Sequence, residues 1–121
     1  MRLFRAFLIG LAFAVVPLLA NAQTPAVTKN GSVTIVTGAT FQTVLASTSS
    51  RRSLTIQNNN TNTDNCWIQF GSGVTAANAT AAKSIILAPG QAYTRYYPYI
   101  PLDEIEGTCT NTSDSLYVDT Q

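Results

Sequence analysis

The feature that most constrains this chain is an alternation of polar and apolar residues with a period of two, repeated in short segments. It is clearest in residues 52–57 (RSLTIQ), where Leu54 and Ile56 fall on the same side. An alternation of this kind places apolar side chains on one face of a β-strand and polar side chains on the other. No long segment after residue 22 has the 3.6-residue period of an amphipathic helix. The pattern therefore predicts an all-β fold.

Eight segments carry strand signals, with turn residues between them at intervals of roughly 8–12 residues. They are residues 32–37, 41–45, 52–57, 66–70, 84–87, 92–97, 104–110 and 115–120. Seven to eight short strands spaced in this way are typical of a sandwich or a small barrel. We predict a single antiparallel β-sandwich domain, of jelly-roll or immunoglobulin-like type.

Three connections carry specific expectations. Residues 52–57 and 66–70 are predicted to form a hairpin, because the polar run 58–65 between them has the Asn and Asp content of a turn. Residues 71–83, rich in Ala and Gly, are predicted to form a loop with at most one helical turn. Pro98 and Pro101 restrict pairing beyond residue 97, which favours an edge position for the preceding strand.

Residues 1–22 have the organisation of a cleavable signal peptide. Arg2 and Arg5 form a positive amino-terminal region, an apolar run of about 15 residues follows, and small residues occupy Ala20 and Ala22. The alternative is an uncleaved anchor, but that run is shorter than the ~20 residues that span a bilayer. We therefore predict export to the periplasm or the extracellular space, a flexible lead-in at 23–31, and one domain at 32–121 with no membrane attachment.

The composition excludes several functional classes. The chain has 17 Thr, 9 Ser, 9 Asn and 6 Gln but only 11% charged residues. Five basic and six acidic residues follow residue 22, a net charge of −1, which gives no general field for nucleic acid. The absence of histidine excludes Ser-His and Cys-His catalysis and imidazole metal ligands. We expect no catalytic residue, no cofactor, no metal site and no nucleic-acid partner.

The two cysteines, Cys66 and Cys109, both lie in the exported part of the chain. An even number of cysteines in an oxidising compartment favours a disulfide. The alternative is a redox pair, but the chain has no C-x-x-C motif. We predict a structural bridge that ties the middle of the domain to its carboxyl-terminal part.

The most distinctive stretch is YTRYYPYIP, which holds four of the five tyrosines within seven residues. Tyrosine has a broad apolar face and a polar tip, and it is favoured in protein contacts and in stacking against sugars. On a strand, alternate residues of this stretch share a face. Two interpretations remain open: a binding surface, or rings of which half fill the core. The candidate binding residues are Tyr93, Arg95, Tyr96, Tyr97 and Tyr99.

Two polar groups have weaker claims. The spacing of Asn60, Asn62 and Asp64 is that of the opening of a calcium loop, but the Gly and the closing Glu are missing, so a turn is favoured. The carboxylates of Asp103, Glu104 and Glu106 have the chemistry of an acid–base pair, yet we expect a solvated face. Trp67 is predicted to lie opposite Cys66, where it either packs or stacks on a ligand.

The central motifs resemble those of a known group of proteins. Residues 51–59 (RRSLTIQNN), 67–71 (WIQFG) and 86–91 (ILAPGQ) follow one another in the order found in small β-rich structural and decoration proteins of tailed phages and prophages. The resemblance covers residues 51–91 and implies a non-enzymatic, virion-associated role. The export signal and the expected disulfide depart from that group.

Two functions follow as expectations. The first is an exported structural or interaction module similar to those phage proteins, which acts through a protein partner or self-assembly. The second is a monomeric periplasmic or extracellular domain that binds a glycan or a protein through residues 93–99. A small hydrolase, which would depend on the acidic cluster alone, is the least supported alternative.

Overall fold

A computed structural model describes residues 29–121, with side chains described from Asn30 onward. The predicted signal peptide at 1–22, the cleavage site and most of the predicted lead-in lie outside the described residues. Within residues 29–121, no helix is both long and apolar enough to cross a membrane.

The described chain forms eight strands and one short 3₁₀ turn. They are β1 (Lys29–Thr34), β2 (Gln42–Leu45), β3 (Ser53–Asn58), β4 (Cys66–Phe70), a 3₁₀ turn (Ala81–Lys83), β5 (Ile85–Leu87), β6 (Ala92–Tyr96), β7 (Ile105–Cys109) and β8 (Ser115–Thr120). The predicted all-β fold with eight short strands is confirmed, and most strand bounds lie within a residue or two of those expected from the sequence.

The strands form two antiparallel four-stranded sheets. Sheet A has the order β1-β8-β3-β6 and sheet B the order β2-β7-β4-β5. The pairs β1–β8, β2–β7, β3–β6 and β4–β5 are nested, as though one long hairpin had been wrapped into two sheets. This is a jelly-roll sandwich, one of the two types that the sequence analysis left open.

The core lies between the sheets and is built by the alternation seen in the sequence. In β3 and β8, every second side chain is fully buried, with half-buried residues between them. Burial of this apolar set is the main favourable term in folding. The buried apolar residues are Ile35, Val44, Leu45, Leu54, Ile56, Cys66, Ile68, Leu87, Ile100, Ile105, Cys109, Leu116 and Val118.

A glycine allows the two sheets to approach at the centre of the core. A Cβ atom added to Gly107 of β7 would lie 2.6 Å from a methyl carbon of Val44 and 3.0 Å from one of Leu116. Contacts of that length require the neighbours to move, and both are buried side chains. Position 107 therefore favours the smallest residue, because Val44 of the neighbouring strand β2 and Leu116 of the opposing sheet both lie against it.

The predicted hairpin of residues 52–57 and 66–70 is wrong. Strand β3 belongs to sheet A and β4 to sheet B, so the two strands face each other across the core instead of pairing. The connecting run crosses between the sheets and is fixed by the buried side chains of Asn58 and Asn62. Asn58 Nδ2 donates to the carbonyl oxygens of Asp64 (2.9 Å) and Leu87 (2.8 Å), and Asn62 Nδ2 donates to Asn58 Oδ1 at 2.6 Å.

The amino-terminal boundary of the domain also differs from the expectation. Strand β1 begins at Lys29 and pairs with β8 over six residues. Residues 29–31, predicted to be part of the lead-in, therefore belong to sheet A. The edge position expected for the strand before Pro98 is correct, since β6 is the last strand of sheet A.

Candidate functional site

The tyrosine-rich stretch divides at the end of β6. Tyr93 is half-buried on the inner side of sheet A, opposite Ile56, and its ring centroid lies 5.4 Å from that of Phe70. The guanidinium carbon of Arg95 lies 4.6 Å from the Tyr93 centroid, a cation–π contact. Tyr93 therefore packs against the core, and Arg95 covers its ring.

The other three tyrosines are exposed. The exposed fractions are 68% for Tyr96, 78% for Tyr97 and 82% for Tyr99, and Leu102, which follows them in the chain, is 46% exposed. We call these four residues the tyrosine surface. Large side chains exposed to this degree and clustered within seven residues are characteristic of interaction sites. Of the four tyrosines in this stretch, only Tyr93 therefore packs against the core, which is fewer than the half that a packing role predicts.

The backbone beneath these rings is anchored to the domain. Ile100 is 9% exposed and belongs to the core. The buried Arg51 donates from Nη1 to the carbonyl oxygen of Pro101 and from Nη2 to that of Ala46 at 2.9 Å. The backbone N–H of Thr48 donates to the carbonyl of Leu102 at 2.9 Å. Burial lowers the pKa of Arg51, and the nearby carboxylate of Asp103 opposes that shift.

Two further hydrogen bonds shape the segment itself. The N–H of Tyr97 donates to the carbonyl of Arg52, and the N–H of Tyr99 donates to that of Tyr96, both at 3.0 Å. The Tyr97–Pro98 peptide bond is cis. The rings are thus presented on a backbone held at both ends, which reduces the entropy lost when a partner binds.

The structure brings together only part of the predicted site. Of the five candidates, Tyr96, Tyr97 and Tyr99 share one exposed region, while Tyr93 and Arg95 form a separate pair on the opposite side of β6. The sequence pattern indicates neither the exposure of Leu102 nor the anchoring role of Arg51. Neither the Pro101-Leu102 dipeptide nor the Arg51-Arg52 dipeptide has a local pattern that predicts these roles. Both roles depend on contacts between segments that are far apart in the chain.

The predicted disulfide is present. Cys66 and Cys109 occupy directly opposed positions of β4 and β7 and are bonded to each other, and both are fully buried. The bridge lies on the core side of sheet B. It ties the middle of the domain to its carboxyl-terminal part, as expected.

In the run with calcium-loop spacing, residues 60–64, the side chain of Asn62 makes structural hydrogen bonds. Asn62 Nδ2 donates to the carbonyl of Ser115 at 2.9 Å, and Asn62 Oδ1 accepts from the Ser115 N–H at 3.2 Å. Its amide is therefore committed to holding the β3–β4 connection against β8. Within residues 30–121, no three His, Cys, Asp or Glu side chains are grouped so that they could hold a metal ion.

The acidic cluster is not a solvated face, which corrects the expectation for Glu106. Asp103 is exposed and Glu104 half-buried, but Glu106 is fully buried on the outer side of sheet B. Thr43 Oγ1 lies 3.1 Å from Glu104 Oε1 and 3.2 Å from Glu106 Oε1. Two carboxylate oxygens thus share a single hydroxyl donor, an arrangement that favours protonation of one of the two carboxyl groups.

The environment of Glu106 raises its pKa to about 7. Burial is the largest cause, and a hydrogen bond and charge repulsion from Glu104 act in the same direction. Hydrogen bonds from Thr43 and from the backbone of Ala76 oppose the shift. Because Glu106 has no exposed surface, its carboxyl is a buried proton-binding group.

The side chain of Trp67 lies on the opposite face of sheet B from that of Cys66, as predicted. It is half-buried on the outer side of sheet B, paired in register with Thr108 on one side and Ile86 on the other. Ile86 is 51% exposed. This pair adds a small apolar area that is separate in sequence and in sheet from the tyrosine surface.

No family model, no curated protein and no solved structure matches this chain. The resemblance to phage structural proteins therefore stays a prediction from the motifs, and the candidate site stands on its own geometry.

Proposed function

We propose that this chain is a non-enzymatic, exported interaction module that engages its partner through the tyrosine surface. The observation that carries the proposal is the high exposure of Tyr96, Tyr97 and Tyr99 on an anchored backbone. Exposed rings on a mobile tail would cost entropy to order, whereas the backbone that carries these rings is held in place before a partner arrives. Tyrosine supplies contact area with little rotamer freedom to lose.

The favoured partner is another protein, either a second copy of this chain or a component of a larger particle. Tyrosine is enriched at the energetic centres of protein interfaces. The near-neutral domain does not repel its own copies strongly. The jelly-roll fold also occurs in viral capsid proteins, which agrees with the phage-like motifs, although a shared fold does not establish a shared role.

Export is part of the proposal. The supporting features are the signal-peptide pattern at residues 1–22 and the disulfide Cys66–Cys109, a bond that is rare in reducing compartments. We propose a periplasmic or extracellular location, and virion association remains within the proposal.

A second function, glycan binding by a monomeric domain, is supported by the exposed ring faces. Aromatic rings stack on the apolar faces of sugars while hydroxyl and amide groups bind the sugar oxygens. The tyrosine surface provides rings for this purpose as well.

The test is a comparison of assembly between the natural chain and a Tyr97→Ser, Tyr99→Ser double variant. The full-length chain is expressed in a bacterium, and the exported protein is analysed by sedimentation velocity and by pelleting of released particles. We expect the natural protein to sediment as an assembly or with particles and the double variant to sediment as a monomer with unchanged thermal stability.

A matched control removes an equally exposed apolar side chain elsewhere. Val36→Ser changes a residue that is 74% exposed and outside the tyrosine surface, so assembly should persist. If the natural protein is a monomer that neither assembles nor pellets with particles, protein assembly is rejected. If the double variant unfolds, the rings contribute to stability and the tyrosine surface is not a free interface.

A further inference from the structure

The outer side of sheet A has an unusual set of side chains. Apart from one alanine, every side chain there carries a hydroxyl, amide or carboxyl group. We call this set the polar face, and it consists of Asn30, Ser32, Thr34, Ser53, Thr55, Gln57, Ala92, Thr94, Tyr96, Ser115, Tyr117 and Asp119.

The strand register arranges these side chains in rows across all four strands. One row is Asn30, Asp119, Thr55 and Thr94, and the next is Ser32, Tyr117, Gln57 and Ala92. Three spacings between neighbouring strands give each row a length of about 14 Å. The rows form a shallow platform, which suits an extended ligand better than a small compact one.

Hydrogen bonds within and between the rows hold several of these groups in place. Tyr117 Oη donates to Asn30 Oδ1 at 2.8 Å, and the hydroxyls of Thr55 and Thr94 lie 3.3 Å apart. Asp119 lies between Asn30 and Thr55 in its row, yet its carboxylate has no hydrogen-bond or ion-pair partner among the described side chains. The middle of the platform thus keeps a strong acceptor for a ligand.

The charge of the polar face selects among ligands. Asp119 is its single carboxylate, and the described residues of the face include no Lys or Arg. An isolated negative charge disfavours phosphate, sulfate and uronate groups, whereas it accepts hydrogen bonds from hydroxyl groups. Tyr96 extends the face at the end of β6 and exposes 68% of its surface for stacking.

We propose that the polar face binds an uncharged oligosaccharide, whose rings stack on Tyr96 and Tyr117 while its hydroxyls bind Asp119, Asn30 and Thr94. The inference rests on the proposed function only in that the chain acts by binding. The two surfaces meet at Tyr96, but the ligand lies along sheet A and not on Tyr97 and Tyr99.

The experiment is calorimetric titration of the mature protein with neutral hexasaccharides and with soluble acidic polysaccharides. The neutral probes are cello-, xylo-, manno-, malto- and chitohexaose, and the charged probes are heparin and polygalacturonate. We expect at least one neutral probe to bind and neither polyanion to bind. Absence of binding to every neutral probe at millimolar concentration, or binding to the polyanions alone, overturns the proposal.

Substitutions on the polar face test whether the ligand binds there. Asp119→Asn, which keeps the shape of the side chain, should weaken binding of the neutral probe about tenfold, because a hydrogen bond to a charged acceptor is lost. Thr94→Val should weaken it several-fold. The matched control is Asp103→Asn, an exposed aspartate outside the polar face, which should leave binding unchanged. Thermal unfolding of each variant is measured alongside.

The outcomes also separate this inference from the proposed function. If Tyr97→Ser, Tyr99→Ser abolishes glycan binding while Asp119→Asn has no effect, the sugar lies on the tyrosine surface and the polar face is rejected. If glycan binding follows Asp119 but the tyrosine variant assembles normally, the inference holds and the proposed assembly interface fails.

Discussion

The two sheets expose their outer faces to different degrees. Among the described residues, the outward side chains of sheet A are half-buried or exposed, and they form the polar face. The outer side of sheet B is partly covered by residues 71–84, since Gln69 Oε1 accepts a hydrogen bond from the Thr80 N–H at 2.8 Å and Glu106 accepts one from the backbone of Ala76. Gln69 is 8% exposed and Glu106 is fully buried as a result.

This difference shows that a polar residue on the outer side of a strand is not necessarily solvated. Thr55 of β3 and Glu106 of β7 occupy equivalent outward positions in the alternation, but one lies on an open sheet and the other under a connection. The cover converts an ordinary surface carboxylate into a buried proton-binding group. Sheet B also holds the disulfide, so changes there should have larger effects on stability than changes on the outer side of sheet A.

The largest expected effect comes from opening the disulfide in sheet B. The Cys66→Ala, Cys109→Ala double variant should lose roughly 4 kcal/mol of unfolding free energy, because a bridge across 43 residues restricts the unfolded chain. Urea unfolding of the oxidised protein, the reduced protein and the variant measures the loss. Reduced protein should match the variant. A loss below about 1 kcal/mol would show that sheet B does not depend on the bridge.

An intermediate effect is expected at Glu106 and depends on pH. Its pKa in the folded protein, about 7, lies above the ordinary value of 4.5, so the folded state binds an extra proton between these two pH values. The stabilising contribution is complete below the lower pKa and is lost as pH rises through the upper one. Unfolding free energy should therefore fall between pH 5 and 8 by an amount on the order of 1–3 kcal/mol.

The Glu106→Gln variant tests this assignment. Glutamine cannot ionise, so the unfolding free energy of the variant should vary less with pH than that of the natural protein. The difference in unfolding free energy, variant minus natural protein, should therefore be more favourable to the variant at pH 8 than at pH 5. Glu104→Gln serves as the control that removes only the neighbouring charge and should reduce the pH dependence partly. An unchanged pH slope in Glu106→Gln would show that the carboxyl is solvated and that the cover over sheet B is not closed.

The smallest effect is expected on the open side of sheet A. Thr55→Val keeps the shape of a half-buried outward residue and should change the unfolding free energy by no more than about 0.5 kcal/mol, the range of ordinary surface substitutions. Thermal unfolding detects the change. The comparison control is Thr108→Val on the covered side of sheet B, where Thr108 is 2% exposed. A larger loss at Thr55 than at Thr108 would reverse the contrast between the two faces.

Much of the local structure could be predicted from the sequence. The segments 66–70 and 115–120 agree with β4 and β8 at both ends, and the edge position of β6 followed from Pro98. Cys66 and Cys109 were the only residues available for an internal bridge. In the candidate site, the clustering of Tyr96, Tyr97 and Tyr99 identified the region, but not which rings turn inward.

The sequence by itself determined the strands and which residues share a face, because alternation is a local property of an extended backbone. Only the tertiary structure decided that β3 and β4 lie in different sheets, that Tyr93 packs while Tyr97 is exposed, and that Glu106 is covered. These outcomes depend on contacts between segments far apart in the chain, such as Gln69 with Thr80 and Arg51 with Pro101. A period of two in the sequence indicates which side of a strand is apolar, but it does not indicate which other strand pairs with that strand.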